Sequence, residues 1–260
     1  MPKVLWLNPI GTDIFDRPIR DVLCSVKNED TRVDVVSFGT GPKHLEYRYY
    51  EALAIPEIVR AVRWAEGAGY DAAIIGCFYD PGLRDARSIT DNIAVLAPCE
   101  TCAHIAATMG YKFSIIVTEE LCVPQMMDNL RSYGLGDKVA SFKTLGMGVH
   151  ELRRDEGFTA RRIRERAKEA VEEDHAEAVI LGCTIQFGFY KSIQTDLGVP
   201  VIDPVVATFK YAELSAELKN RFGWTHSKKY GYKSPPISEI EDWGLAHAQG
   251  APMPRGWSLQ

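Results

Sequence analysis

The chain writes one short pattern twice, and both copies carry a cysteine at the same place. Residues 73–77 read Ala-Ile-Ile-Gly-Cys and residues 179–183 read Val-Ile-Leu-Gly-Cys. A second apolar run follows each: Ile93-Ala94-Val95-Leu96-Ala97-Pro98 after Cys77, and Val199-Pro200-Val201-Ile202-Asp203-Pro204 after Cys183. In both copies the closing proline stands 21 residues beyond the cysteine. A strand, a glycine-cysteine turn, a helical stretch and a second strand form one α/β unit. The repeat therefore predicts two pseudo-symmetric α/β lobes, each with a thiol at a strand end and an active site between them. Thiols facing each other there could move a proton from one face of a carbon to the other.

The rest of the chain extends this alternation. Strand-like runs cover 3–8, 32–38, 71–76 and 92–97, then 112–117, 139–145, 178–182 and 199–203. The run 112–117 resembles 3–8 in pattern, so the second half restarts where the first began. Helical periodicity marks 47–67, with Pro56 expected to break or bend it, and a charged, exposed helix at 159–173. Such alternation gives mainly parallel sheets covered by helices, with ligands beyond the carboxyl ends of the strands. Asn8, Cys77, Pro98, Thr118, Cys183 and Pro204 fall on that rim. The expected domains are 1–105 and 106–220, with the helix near 204–220 placed to pack back on the first. A loop-rich extension follows at 221–260, packed on its own subunit or on a neighbour. Its prolines and its tryptophans Trp243 and Trp257 argue against a floppy linker.

Composition narrows the function. With 46% hydrophobic residues in 260, the chain can bury a sizeable core. A formal net charge of −5 argues against a nucleic-acid partner. No apolar stretch approaches membrane-spanning length, and no signal peptide is legible, so a cytoplasmic protein is expected. Six cysteines in a reducing compartment are candidates for packing, metal binding or catalysis rather than disulfides.

A thiol ordinarily titrates near 8.5, so a thiolate at neutral pH needs a helix N-terminus, amides or a positive charge. Both Gly-Cys turns stand where amides could supply that help. Gly76 and Gly182 would leave room for a ligand or permit unusual backbone angles. Either cysteine alone could be core filling, but matched positions in a repeat speak for function.

At these residues the chain resembles a family. Ile75-Gly76-Cys77-Phe78-Tyr79-Asp80-Pro81-Gly82-Leu83 strongly resembles the first cysteine motif of hydantoin racemases, in the aspartate/glutamate racemase superfamily. Leu181-Gly182-Cys183-Thr184 resembles the second cysteine motif, Val201-Ile202-Asp203-Pro204 the strand after it, and Leu7-Asn8-Pro9 the opening segment. Thr225 to Tyr230 resembles the C-terminal segment more weakly. The resemblance implies a cofactor-independent racemase in which Cys77 and Cys183 act on opposite faces of the stereocentre. Asn8, Thr118 and Thr184 are then the matching polar groups for substrate, with Phe78 and Tyr79 shaping the wall. The chain departs from the family at Ile10, at Tyr79 where the motif usually has a small residue, and at Pro98-Cys99-Glu100-Thr101-Cys102, which replaces a glycine-rich stretch. Those changes bear on the substrate more than on the chemistry.

Other features have bland readings beside functional ones. Cys99 and Cys102 form a Cys-x-x-Cys at a helix start, read as packing or pocket lining ahead of redox, and no second ligand pair points to zinc. Glu100 could orient substrate or simply favour the helix dipole, Asp80 is a turn signal before it is an acid, and Asp203 suits an N-cap. His104 and His175, on helical stretches, show no pairing. The leading expectation is a two-cysteine racemase of a hydantoin-like cyclic amide, in a possible homo-oligomer, with no metal and no cofactor. Decarboxylation or isomerisation on the same scaffold, and a non-enzymatic small-ligand binder, are the alternatives.

Overall fold

The computed structural model describes residues 1–245. Its first sheet is built from β1 (Lys3–Asn8), β2 (Arg32–Ser37), β3 (Ala72–Ile75) and β4 (Ala94–Leu96), all parallel, in the order β2-β1-β3-β4. The second contains β5 (Phe113–Val117), β6 (Val139–Thr144), β7 (Ala178–Leu181) and β8 (Val201–Ile202), again parallel, in the order β6-β5-β7-β8. The two orders are the same permutation, so the repeat in sequence is a repeat in topology. In both sheets the cysteine-bearing strand, β3 or β7, lies inside and is buried throughout, as its unbroken apolar run demands.

Nine α-helices occur among the described residues: α1 (Asp16–Val26), α2 (Arg48–Gly67), α3 (Leu83–Ile89), α4 (Pro98–Met109), α5 (Val123–Ser132), α6 (Glu156–Glu172), α7 (Tyr190–Leu197), α8 (Pro204–Phe222) and α9 (Ile237–Asp242). The chain divides into two compact units. One comprises Met1–Gly76, Pro81–Leu96 and Phe209–Gln260, and the other Cys77–Asp80 and Ala97–Thr208. In the first, Trp6, Leu5, Leu7, Ile19, Leu23, Ile58, Ile74 and Ile93 are sealed from solvent. In the second, Phe113, Ile115, Ala178 and Ile180 of the sheet pack with Ala103 and Ala106 of α4 and Met126 and Leu130 of α5.

Several sequence expectations change in detail. Helix α2 runs through Pro56 instead of breaking there. Ala54, Ile58, Ala61, Val62 and Ala65 are buried on either side of the proline, and that packing outweighs one lost backbone bond. Helix α6 begins three residues earlier than the charge pattern indicated, because Asp155 caps it through the Phe158 amide. It is not wholly solvated either: Thr159, Ile163, Ala167 and Ala170 form a buried stripe. His175 lies beyond α6, with φ of 57°, rather than on a helix. The C-terminal segment packs on its own unit. His226 Nε2 accepts from the Val95 amide, and Lys228 Nζ donates to the Arg87 carbonyl. Trp257 and the prolines 252 and 254 lie outside the described residues. No described helix is long and apolar enough to cross a membrane.

Candidate active site

Each strand-end glycine is there for close packing. A Cβ on Gly76 would stand 2.6 Å from Trp6 Nε1 and 2.9 Å from the Leu7 oxygen. A Cβ on Gly182 would stand 2.7 Å from Ile115 Cγ2 and 2.9 Å from the Ile116 oxygen. Their amides bond those same strands, Gly76 to Leu7 at 2.7 Å and Gly182 to Ile116 at 2.8 Å. Neither glycine takes a left-handed φ, so the expectation of unusual angles or ligand space gives way to strand contact.

Each cysteine then opens a tight turn. The Asp80 amide donates to the Cys77 carbonyl at 3.0 Å, and the Gln186 amide to the Cys183 carbonyl at 2.9 Å. Thr184 to Gln186 complete a 3₁₀ turn with Cys183 at its N-cap position. Cys77 and Cys183 are half-buried, whereas Cys99, Cys102 and Cys122 are buried. The Cys77–Asp80 segment groups with Ala97–Thr208, so both candidate catalytic cysteines belong to one compact unit.

Tyr79 ties that unit's thiols together. Its side chain is buried in the core cluster against which Cys77 packs, with Phe78, Cys99, Cys102 and Cys122. Burial is the main cause that raises its phenol far above the usual tyrosine range; a hydrogen bond to Cys122 and the proximity of Cys122, Cys77 and Cys183 add to it. The phenol therefore stays protonated and has both Cys77 and Cys183 within electrostatic reach. The Asn129 amide donates to the Tyr79 carbonyl at 2.7 Å, and Thr118 Oγ1 lies 3.3 Å from Cys122 Sγ.

Asp80 is the residue whose role the sequence understated. It adopts φ of 52°, the left-handed region that Asp tolerates better than most side chains. Its carboxylate accepts from the amides of Cys99 and Glu100, both at 2.8 Å, and from the Tyr133 hydroxyl at 2.9 Å. It thereby caps α4 from a distant loop. Helix α4 starts with Ala97 as its N-cap, which has no side chain able to do so. Burial pushes the Asp80 carboxyl up to about 7 against the pull of those three donors. The second copy arranges the same parts differently. Asp203 is itself the residue before α8, and its Oδ1 accepts from Val205 and Val206 at 2.9 and 3.2 Å. Its Oδ2 reaches back to the Gly188 amide at 2.6 Å. Burial raises this carboxyl, while the Gly188, Val206 and Val205 amides pull it down. Arg153 adds a second hold on this loop, donating to the carbonyls of Ile185 at 3.0 Å and Phe187 at 2.6 Å and stacking on the Phe187 ring.

The remaining candidates are placed as follows. Thr118 and Thr184 are buried at the ends of β5 and β7. Glu100 stands in the first turn of α4, with its amide taken by Asp80. Asn8 lies in the first unit, where its amide accepts from Trp6 Nε1 at 2.8 Å and donates to Asp16 at 2.6 Å. The Cys99 and Cys102 thiols are pushed well up, chiefly by burial, which speaks for packing over redox chemistry. No cluster of metal-ligating side chains occurs among the described residues.

Sequence reasoning passed over Tyr133, Asn129, Cys122 as the Tyr79 partner, and Arg153. A signal existed for the Asp80 cap. Asp203-Pro204 opens one helix and Ala97-Pro98 its counterpart, so the first copy lacks a cap that an acid elsewhere must supply.

The Asp/Glu/Hydantoin racemase family model matches residues 4–212. A hydantoin racemase of Pseudomonas sp. (strain NS671) is 34% identical over 93% of this chain and 97% of its own. An allantoin racemase from Klebsiella pneumoniae superposes with a TM-score of 0.84 at 26% identity, over 91% of this chain and 94% of that one. Allantoin racemase from Pseudomonas fluorescens gives 0.80 at 26% identity, over 90% and 97% of the two chains.

Proposed function

The chain belongs to the Asp/Glu/Hydantoin racemase family and is a racemase; we propose that it racemises a hydantoin-like cyclic amide, passing the proton between Cys77 and Cys183. The observation that carries this reading is the matched placement of the two thiols. Each follows the buried interior strand of its sheet, β3 or β7, at the equivalent point of the same strand order, and both are half-buried while the other cysteines of their unit are sealed. The relatives named for hydantoin and for allantoin support the substrate class, because allantoin is itself a hydantoin with a ureido group on its stereocentre.

The reaction needs no change of oxidation state. One cysteine, as thiolate, takes the proton from the ring carbon beside the carbonyl and becomes a thiol. The electron pair of that C–H bond moves onto the carbonyl oxygen as an enolate. The other cysteine, as thiol, returns a proton to the opposite face; the pair moves back to carbon and a thiolate is left. Electrons balance within substrate and protein, so the step requires no electron carrier. Thr184 beside Cys183, Thr118 and Glu100 are the proposed polar contacts for the ring, and Phe78 and Tyr79 its wall. Fixed donors aimed at the enolate oxygen would lower the barrier.

Solvent exchange tests this. Each enantiomer of a 5-alkylhydantoin and of allantoin is incubated in deuterated buffer, corrected for the enzyme-free rate. Cys77→Ser and Cys183→Ser should each lower racemisation by on the order of a thousandfold. Each should still exchange deuterium into one enantiomer with retention, and the two variants should prefer opposite enantiomers. Full racemisation in either variant, or the same preference in both, would overturn the two-thiol reading.

A further inference from the structure

The two cysteine turns are held by different carboxylates, and those carboxylates do equivalent jobs. Asp80 is the third residue after Cys77 and closes the Cys77 turn through its own amide. Its side chain is anchored on the first-turn amides of α4, Cys99 and Glu100. In the other copy the matching first-turn amides, those of Val205 and Val206, are held by Asp203, which also binds the Gly188 amide five residues after Cys183. Both carboxylates are buried, and each joins a cysteine loop to the second α-helix that follows it. Neither is among the groups that would touch the reacting carbon.

We propose that Asp80 and Asp203 are paired positioning residues, Asp80 fixing the Cys77 sulfur and Asp203 the Cys183 sulfur, so that each carboxylate governs proton transfer at one face of the substrate. The inference rests on the two-thiol reading. Its physical basis is that proton transfer is steep in distance, and a misplacement of about 1 Å can cost on the order of a hundredfold. A loop carrying one thiol, released from its helix, loses alignment for its own face alone.

Asparagine is the informative substitution. Asp80→Asn keeps a residue that accepts a left-handed φ, and it places an NH2 group where an oxygen accepted a backbone amide. Asp203→Asn can keep Oδ1 as the cap of α8, while its NH2 meets the Gly188 N–H and breaks the loop tie. Each variant is made in both single-cysteine backgrounds and assayed by deuterium exchange, with the same 5-alkylhydantoin enantiomers as probe. With Cys77 the remaining one of the two candidate catalytic cysteines (Cys183→Ser), Asp80→Asn should slow exchange about tenfold more than Asp203→Asn does. With Cys183 the remaining one (Cys77→Ser), the order should reverse. Tyr133→Phe, which removes one donor to Asp80, should sort with Asp80→Asn at about fivefold, and it carries the test if Asp80→Asn does not fold. Equal losses in both backgrounds would overturn the inference and leave the two carboxylates as general supports. Failure of the parent single-cysteine variants to exchange opposite enantiomers would overturn the two-thiol reading and the inference with it.

Discussion

The Cys77 and Cys183 loops start alike and end differently. Both leave an interior strand through a glycine whose added Cβ would press on the neighbouring strand, and both turn at once through a hydrogen bond to the cysteine carbonyl. Beyond that point the first loop turns aromatic residues inward, Phe78 and Tyr79, and supplies its own carboxylate to a distant helix. The second keeps the small Thr184 beside its cysteine, borrows the carboxylate of the helix, and is clamped by an arginine. The likeness lies where the strand geometry is shared, and the difference where each loop meets its own surroundings. A racemase needs equivalent chemistry on two faces of a carbon that is not itself symmetric. Matched thiols on unmatched walls suit that requirement.

The largest expected effect comes from the wall. Tyr79→Gly empties a buried aromatic site and should cost about 3–5 kcal/mol in chemical denaturation. If Tyr79 also bounds the ring substituent, kcat/KM should shift toward bulkier substrates across a graded series. An equal loss for every substrate would make Tyr79 a core residue only.

The shared part of the loops gives the next effect. Gly76→Ala and Gly182→Ala each force a methyl against a neighbouring strand and should each cost roughly 1–3 kcal/mol. Denaturation midpoints for the pair should agree. A tolerated alanine at one site would break the symmetry of the strand ends.

Arg153 sharpens the difference instead. Arg153→Lys keeps the charge but loses the fork that spans two carbonyls, at a cost of about 1–2 kcal/mol. Hydrogen exchange should rise in residues 183–189 and stay unchanged in residues 77–80. Equal loosening of both loops would show that Arg153 is no private clamp.

The last comparison is a pH dependence. The folded-state pKa of Asp80 is raised to about 7 by burial, above the ordinary carboxylate value, so the folded chain binds this proton more tightly than the unfolded chain. The contribution is full below about pH 4 and is lost as pH rises toward 7. Relative to Asp80→Asn, the wild-type melting temperature should therefore fall across that window. A flat difference would show that the three donors cancel burial, and a rise with pH that they outweigh it.

Sequence by itself determined the parts governed by local rules. Unbroken apolar runs ending in Gly-Cys could only be interior parallel strands, and the repeat of that pattern carried the identical strand order of the two sheets. The same local signal singled out Cys77 and Cys183 and carried the family resemblance. The alternation also set Thr118 and Cys183 beyond strand ends, because strand length and direction follow from periodicity.

Tertiary structure decided what depends on residues distant along the chain. The bond from Asp80 to the Cys99 amide spans 19 residues, and no propensity marks an aspartate in an Asp-Pro-Gly turn as the cap of another helix. Tyr79 meets Cys122 and Asn129 only because β5 and α5 fold against its loop. Arg153 reads as one more surface charge until the carbonyls of Ile185 and Phe187 converge on it. Period and composition record which face of an element is buried. Which buried groups meet is settled by packing and by the need to pair every polar atom taken out of water, and only the folded chain answers that.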